Sequence, residues 1–290
     1  MEGEIKMSHF IEVKDVEKKI DHFKLGPIQL SIEPGTITAL VGDNGSGKST
    51  LLKMIMNLVN YDAGTITVFN QPVHEDDEEW KKEVAYQPQT VIGYDGFTGN
   101  ELNDLIAHWY PNWDQKLFVQ LVDMFEIPLN RRFSALSQGV QQKLLLALTI
   151  PRNTKLLILD EPTSFMDIPA KNLLNDVLIE WMEKDERSII LASHQADDIQ
   201  KLADYIVVIK NGKMLGQYEK EQLIESFRKF WLKPGSLNGK VPGEILRKEN
   251  ELISNDPMLT EKYFEENGIE PLSSANLELE EIITLLLTQR

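Results

Sequence analysis

The stretch GDNGSGKST, Gly42 to Thr50, gathers three glycines, one lysine and three hydroxyl side chains into nine residues. Gly42, Gly47, Lys48 and Ser49 stand where a phosphate-binding P-loop requires them, between a run that reads as a strand and one that reads as a helix. The glycines let the backbone curl so that its N–H groups face phosphate oxygens, and the helix start adds positive potential. Asp43, Asn44, Gly45, Ser46, Gly47, Lys48, Ser49 and Thr50 are therefore the candidate nucleotide-binding residues. Within them Lys48 reaches the β and γ oxygens, and the Ser49 hydroxyl can ligate Mg²⁺. An ordinary glycine turn capping a helix is the competing reading, and the strand–loop–helix context disfavours it.

A P-loop needs a carboxylate at the end of a neighbouring strand to hold the Mg²⁺ hydration shell, and Asp160 closes the apolar run LLILD. Glu161 follows at once. A second carboxylate beside a metal ligand costs like-charge repulsion unless it has a task, such as orienting or deprotonating the attacking water. A solvated strand-end charge is the alternative. A third stretch, ALSQGVQQK from Ala135 to Lys143, puts Ser137 and Gly139 at the start of an apolar-periodic helix. Both a helix cap and half of an active site completed by another chain fit these residues.

Several elements must position these groups. Alternation in FIEVKDVEKK and GPIQLSIEPG predicts antiparallel strands followed by a turn at Pro34-Gly35. TITALV, Thr36 to Val41, reads as a short buried strand and KSTLLKMIMNLV as the helix after the loop. GTITVFNQPV predicts a hairpin element, and HEDDEEWKKE a solvated surface segment. From about 91 to 151 the apolar spacing turns helical, with Val140, Leu144 and Leu148 four apart on one face, which predicts a helical insertion. Strand patterns return in LLILD and SIILAS, each preceded by a helix, as in a parallel sheet with crossover helices. Asn211-Gly212 marks a hairpin turn. Beyond Gln217 the pattern is irregular, broken at Pro234-Gly235 and Pro242-Gly243, and ends in an amphipathic helix near LELEEIITLLLTQR. The expected fold class is α/β: a P-loop NTPase core with a parallel sheet, an N-terminal antiparallel β subdomain, an inserted α-helical subdomain and a small C-terminal extension. The nucleotide-binding domain is expected over 8–224 and the extension over 225–290.

Composition narrows the classes. With 42% hydrophobic residues in 290, the chain can bury a large core. Lys and Arg total 30 against 46 Asp and Glu, a net charge of −16 without an acidic tail, which argues against nucleic acid and against direct binding to anionic membranes. The absence of cysteine removes disulfides, thiolate metal sites and cysteine nucleophiles, and fits a reducing cytosol. No run reaches the roughly 18 apolar residues of a spanning helix, and MEGEIKMSHF lacks a signal-peptide core. No direct membrane insertion is expected, so any membrane link comes through a partner.

Taken in order, these motifs resemble those of the ATPase subunit of an ATP-binding cassette (ABC) transporter, over roughly Phe10 to Gln217. After the P-loop comes YQPQ, similar to the family's Y-x-P-Q loop and placing its glutamine at Gln89 rather than Gln87. LSQGV stands in place of the signature LSGGQ, followed by LLILDEPTS, by Asp167 in SFMD and by His194 in LASHQ. The resemblance implies that two such domains dimerise head to tail and bind two MgATP, each signature closing on the nucleotide of the other P-loop. Ser137 would then face the γ-phosphate, Gly139 would permit backbone approach, and Asp167 would reach across the dimer. Gln89 would sense Mg²⁺ and water, joining Ser49 and Asp160 at the metal, and His194 would contact the γ-phosphate. Glu161, His194, Gln89 and Lys48 form the implied catalytic set. Two departures stand out: Gln138 and Val140 replace a signature glycine and glutamine, and the family's adenine-stacking aromatic falls at Ile20, with Phe23 three residues on as a substitute.

The implied cofactors are ATP and Mg²⁺. The implied partners are an integral membrane transporter subunit, docked near the aromatic stretch AHWYPNWD unless that stretch packs internally, and a second ABC ATPase subunit, self or paralogue. The implied location is the cytoplasmic face of the cell membrane. The aromatic stretch, the variant signature and the tail are similar to a bacterial exporter subgroup that includes phenol-soluble-modulin exporters and antibiotic-responsive systems, which implies export of a peptide, toxin or drug-like cargo. A soluble ABC-type assembly ATPase and a hydrolysis-suppressed nucleotide clamp are the rival readings.

Overall fold

The computed structural model describes residues 9–74, 78–184, 186–237 and 239–288. The chain divides into two compact units, Met1–Gln217 and Tyr218–Arg290. In the first, β1 (Ile11–Ile20) and β2 (Phe23–Ile32) pair antiparallel with Val13 opposite Leu30 and Ile20 opposite Phe23. β3 (Ile37–Val41), buried at every position, leads into α1 (Lys48–Ile55). β4 (Ala63–Val68) and β5 (Gln71–Pro72) form a hairpin through Phe69 and Asn70, both at positive φ as a two-residue turn of this hand requires. β4 also pairs with β1, which gives the antiparallel sheet the order β2-β1-β4-β5.

β6 (Val84–Gln87) precedes the expected helical insertion, which contains α2 (Gly99–Trp109), α3 (Gln115–Met124) and α4 (Gln138–Thr149). β7 (Leu156–Asp160), α5 (Ile168–Met182), β8 (Ser188–Ala192), α6 (Ala196–Leu202), β9 (Tyr205–Lys210) and β10 (Lys213–Glu219) follow. The second sheet runs β10-β9-β3-β8-β7-β6, with β9 through β6 parallel. Both faces of its central strands are covered. Leu157, Leu159, Ile189 and Leu191 pack with the helical insertion, whereas Leu40, Leu156, Ile158 and Ile190 pack with α1 and the antiparallel sheet. Double-sided burial explains why these strands read as unbroken apolar runs.

The parallel strands deliver the chemistry to one edge. Gly42 follows β3, Gln89 lies just past β6, Asp160 ends β7 with Glu161 next, and His194 follows β8. In an open α/β sheet, ligand sites form at these carboxyl ends.

Two sequence expectations change. In the segment expected to be solvated, Glu79–Glu83 form a 3₁₀ turn that drives Trp80 into the core, 2% exposed, while 75–77 lie outside the described residues. A single aromatic among charges gives no periodicity, so its burial was not visible.

The tail is regular, not irregular. The second unit holds α7 (Lys220–Glu225), β11 (Arg228–Trp231), β12 (Glu244–Lys248), β13 (Glu251–Ser254), α8 (Pro257–Glu266), β14 (Ser273–Asn276) and the expected closing helix α9 (Leu279–Thr288). Its antiparallel sheet has the order β12-β13-β11-β14 over a small core of Phe230, Leu232, Val241, Leu252 and Phe264. Strands this short, one of them the wholly exposed SSAN, carry too few alternations to signal themselves.

Candidate nucleotide site

The loop after β3 is built for backbone contact with an anion. Gly47 caps α1 at φ 112 without a side-chain capping bond, so the first-turn N–H groups keep their donor capacity for a ligand. The positive φ demands glycine at position 47, and a Cβ there would also press on Leu25 Cδ1 at 2.6 Å. Around the loop lies a pocket of about 320 Å³ lined by residues 44–50, Phe23, Gln89 and Glu161. Its size suits a small polar ligand.

Charge in the pocket is unbalanced. Lys48 Nζ donates to the Gly42 carbonyl at 2.6 Å and to the Asp43 carbonyl at 3.3 Å. Burial lowers its pKa, against the opposing pull of Glu161, Asp160 and Asp43. Ser49 Oγ donates to Asp160 Oδ1 at 3.1 Å, while Asp160 Oδ2 is buried without a partner. Burial raises the Asp160 pKa despite that hydroxyl, the Lys48 and Lys53 charges and the Gln89 peptide N–H, which faces the carboxylate without forming a hydrogen bond of good geometry to Oδ2. A buried carboxylate oxygen left unpaired beside a serine hydroxyl is what a divalent cation would satisfy, so these residues fit Mg²⁺. Among the described residues no cluster of three or more His, Asp or Glu forms a metal cage. The remaining ligands must then come from phosphate oxygens and water, as Mg²⁺ prefers.

Glu161 is fixed from several sides. Its peptide N–H donates to the Ala192 carbonyl at 2.9 Å, and its Oε2 lies 2.7 Å from His194 Nδ1. Its φ of 53 places a non-glycine residue in the left-handed region, which costs on the order of 1 kcal/mol and persists where neighbours enforce it. Thr163 Oγ1 donates to the buried Asp198 at 2.7 Å and anchors the turn that follows.

The residues expected to meet a partner's nucleotide lie apart from this pocket's lining. Ser137 is the N-cap of α4 and accepts from Val140 N at 3.4 Å; Asp167 caps α5 and accepts from Ala170 N at 2.9 Å. A Cβ on Gly139 would approach the Phe165 carbonyl oxygen to 2.6 Å, so the chain itself demands glycine there, independently of any ligand. Ile20, expected at the adenine, does not line the pocket and sits 39% exposed at the β1–β2 turn; Phe23 lines it instead. Reversing the chain in two residues opposite Ile20 brings Phe23 over Gly47, with its Cζ 3.4 Å from where a Cβ would be. Gln142 is a further buried polar residue that the sequence does not mark, since it stands between Gln141 and Lys143 and only the structure shows it to be 5% exposed.

The chain is similar to known proteins over the region that holds this site. Residues 25–164 match the family model described as ABC transporter. The chain is 29% identical over 220 residues to the ABC transporter ATP-binding protein YtrB of Bacillus subtilis, covering 76% of this chain and 75% of that one. It is 27% identical over 241 residues to the petrobactin import ATP-binding protein FpuD of Bacillus anthracis, covering 80% and 83%. A solved structure titled as the ATP binding subunit of an ABC transporter superposes with a TM-score of 0.67 at 25% identity, over 74% of this chain and 92% of that one.

Proposed function

We propose that this chain is an ATP-binding, ATP-hydrolysing subunit of the ABC transporter kind, with the following working cycle. Two MgATP bind at a head-to-tail dimer formed with a second copy or a related chain, and hydrolysis drives a separate integral membrane subunit. Lys48 and the loop N–H groups hold the phosphates. Ser49, Asp160 and Gln89 would hold Mg²⁺, which when bound neutralises charge on the phosphate oxygens. Glu161 orients the attacking water and accepts its proton, and His194, hydrogen-bonded to it, fixes the carboxylate and faces the γ-phosphate. Ser137, Gly139 and Asp167 belong to the half-site offered to the partner, and Phe23 rather than Ile20 packs on the base. The observation that carries this reading is the convergence of Lys48, Ser49, Gln89 and Glu161 on one pocket with the unpaired Asp160 oxygen behind it.

Among the described residues no helix is long and apolar enough to cross a membrane, and coupling through a membrane partner at the cytoplasmic face is consistent with that. We assign export of a peptide, toxin or drug-like cargo from the resemblance of the aromatic stretch, the variant signature and the tail to the exporter subgroup; the importer relative FpuD makes direction the point to test. The experiment is a pull-down of tagged Glu161→Gln protein from membranes in mild detergent with MgATP, read by mass spectrometry. A polytopic membrane protein in stoichiometric amount is expected, and its own pathway identifies cargo and direction. Recovery of soluble proteins alone would replace this reading with that of an assembly ATPase.

A further inference from the structure

Gln142 lies one turn into α4 and is 5% exposed. A buried amide needs hydrogen-bond partners, and the partners of this one are specific. Its Nε2 donates to the carbonyl of Glu161 at 3.1 Å and to the carbonyl of Pro162 at 3.0 Å. Of these, the Glu161 carbonyl, together with the Glu161 N–H, brackets the φ and ψ bonds that set the direction of the Glu161 Cα–Cβ bond, and the Pro162 carbonyl lies one residue further along the chain. The same Glu161 carbonyl also accepts from Ser164 N at 3.2 Å, while the Glu161 N–H is tied to the end of β8. Strand β8 therefore holds one side of the residue and α4 the other. Glu161 sits at φ 53, an intrinsically disfavoured torsion, and the two holds fix the backbone from which its side chain reaches His194.

A second contact points the same way. Gly139, three residues before Gln142, lets the Phe165 carbonyl approach the first turn of α4, so the helix grips both ends of the Glu161–Phe165 turn.

We propose that Gln142 is a positioning residue for Glu161, its amide holding the Glu161 carbonyl and the Pro162 carbonyl after it, and with them the backbone torsion from which the carboxylate projects toward the attacking water. The proposal rests on the reading of Glu161 as the water-orienting residue. It assigns to α4 a role inside its own chain, separate from the part its N-terminus plays toward a partner's nucleotide.

The test uses the full chain with Gln142→Met, an apolar near-isostere that keeps the packing, and Gln142→Glu, which keeps the shape but cannot donate when ionised. Phosphate release gives kcat and KM, calorimetry gives MgADP affinity, and a melting curve reports folding. For Gln142→Met, kcat is expected to fall roughly 10- to 100-fold while KM and MgADP affinity stay within about threefold, as for an interaction that matters in the transition state. For Gln142→Glu, the deficit relative to wild type at the same pH should shrink from about pH 8 to about pH 6, as a buried carboxyl regains its proton and donates again. The deficit of Gln142→Met should not change with pH. Wild-type kcat in both variants would overturn the proposal. So would a parallel loss of kcat, MgADP affinity and melting temperature with no pH dependence, which marks a purely structural amide. Glu161→Gln run alongside separates the two levels. If it turns over normally, the role of Glu161 fails; if it is inactive while Gln142→Met is normal, only the Gln142 proposal fails.

Discussion

The starts of α1 and α4 look alike in sequence, each a glycine- and serine-containing turn ahead of an apolar helix, yet they are finished differently. At α1 the capping position is a glycine without a side-chain bond, and the loop before it closes around a pocket with Lys48 at its centre. At α4 the serine hydroxyl caps its own helix, Gly139 is filled by the Phe165 carbonyl, and neither residue lines that pocket. The first end is a site needing only its ligand; the second is a closed helix end whose serine bond, at 3.4 Å, is long enough to be given up to a stronger acceptor. On the proposed reading, that difference suits a catalytic centre divided between two chains.

Substitutions at the two ends should separate accordingly. Lys48→Ala strikes the complete half, and MgATP binding or turnover should drop at least about a hundredfold, since a pre-placed cation at the phosphates is lost; retention of both in calorimetry and phosphate release would remove Lys48 from the site. Ser137→Ala strikes the other half. Turnover should fall about tenfold for one lost charge-assisted hydrogen bond, while MgADP affinity, set by the P-loop of the same chain, holds steady. Helix stability should drop by about 1 kcal/mol through the lost cap. Equal losses in MgADP affinity and turnover would erase the distinction between the two ends.

The smallest effect concerns the resting charge of the complete half. Burial raises the Asp160 pKa above its ordinary value, so the protonated form is favoured on folding. Its stabilising contribution is full below the ordinary carboxylate range and is lost as pH rises through the raised folded value, leaving the ionised group unfavourable at neutral pH. Asp160→Asn should therefore raise the nucleotide-free melting temperature at pH 7 by roughly 2–4 °C per kcal/mol recovered. It should narrow that gain toward pH 4 and lose the Mg²⁺-dependent stabilisation by ATP. A lower melting temperature at pH 7 would show that the buried carboxylate is not under strain.

Sequence and structure met most closely where chemistry dictates residue identity. Lys48, Ser49, Asp160 and Glu161 stand out because the P-loop chemistry asks for particular residue types at set positions, His194 stands out only through the family resemblance, and the parallel strands that bring all five to one edge are unmistakable apolar runs. Of the two residues offered for the base, Ile20 and Phe23, Phe23 lines the pocket, because the hairpin turn brings it over the loop, a placement that spacing along the chain does not reveal. Gln142 was overlooked because its partners are main-chain carbonyls, to which any sequence contributes. The sheet of the second unit is invisible for a different reason: β11, β13 and β14 have four residues each and pair partners up to 48 residues apart in sequence, too short and too distant for periodicity to register.

Division of the centre between two chains is tested most directly by complementation. Lys48→Ala destroys the P-loop half and Ser137→Arg the signature half, and each chain alone should release little phosphate from MgATP. In a mixture, heterodimers contain one site with an intact P-loop from one chain and an intact signature from the other. The account predicts a rate for the mixture well above the mean of the two separate samples. A rate equal to that mean would contradict a centre completed by a second copy of this chain.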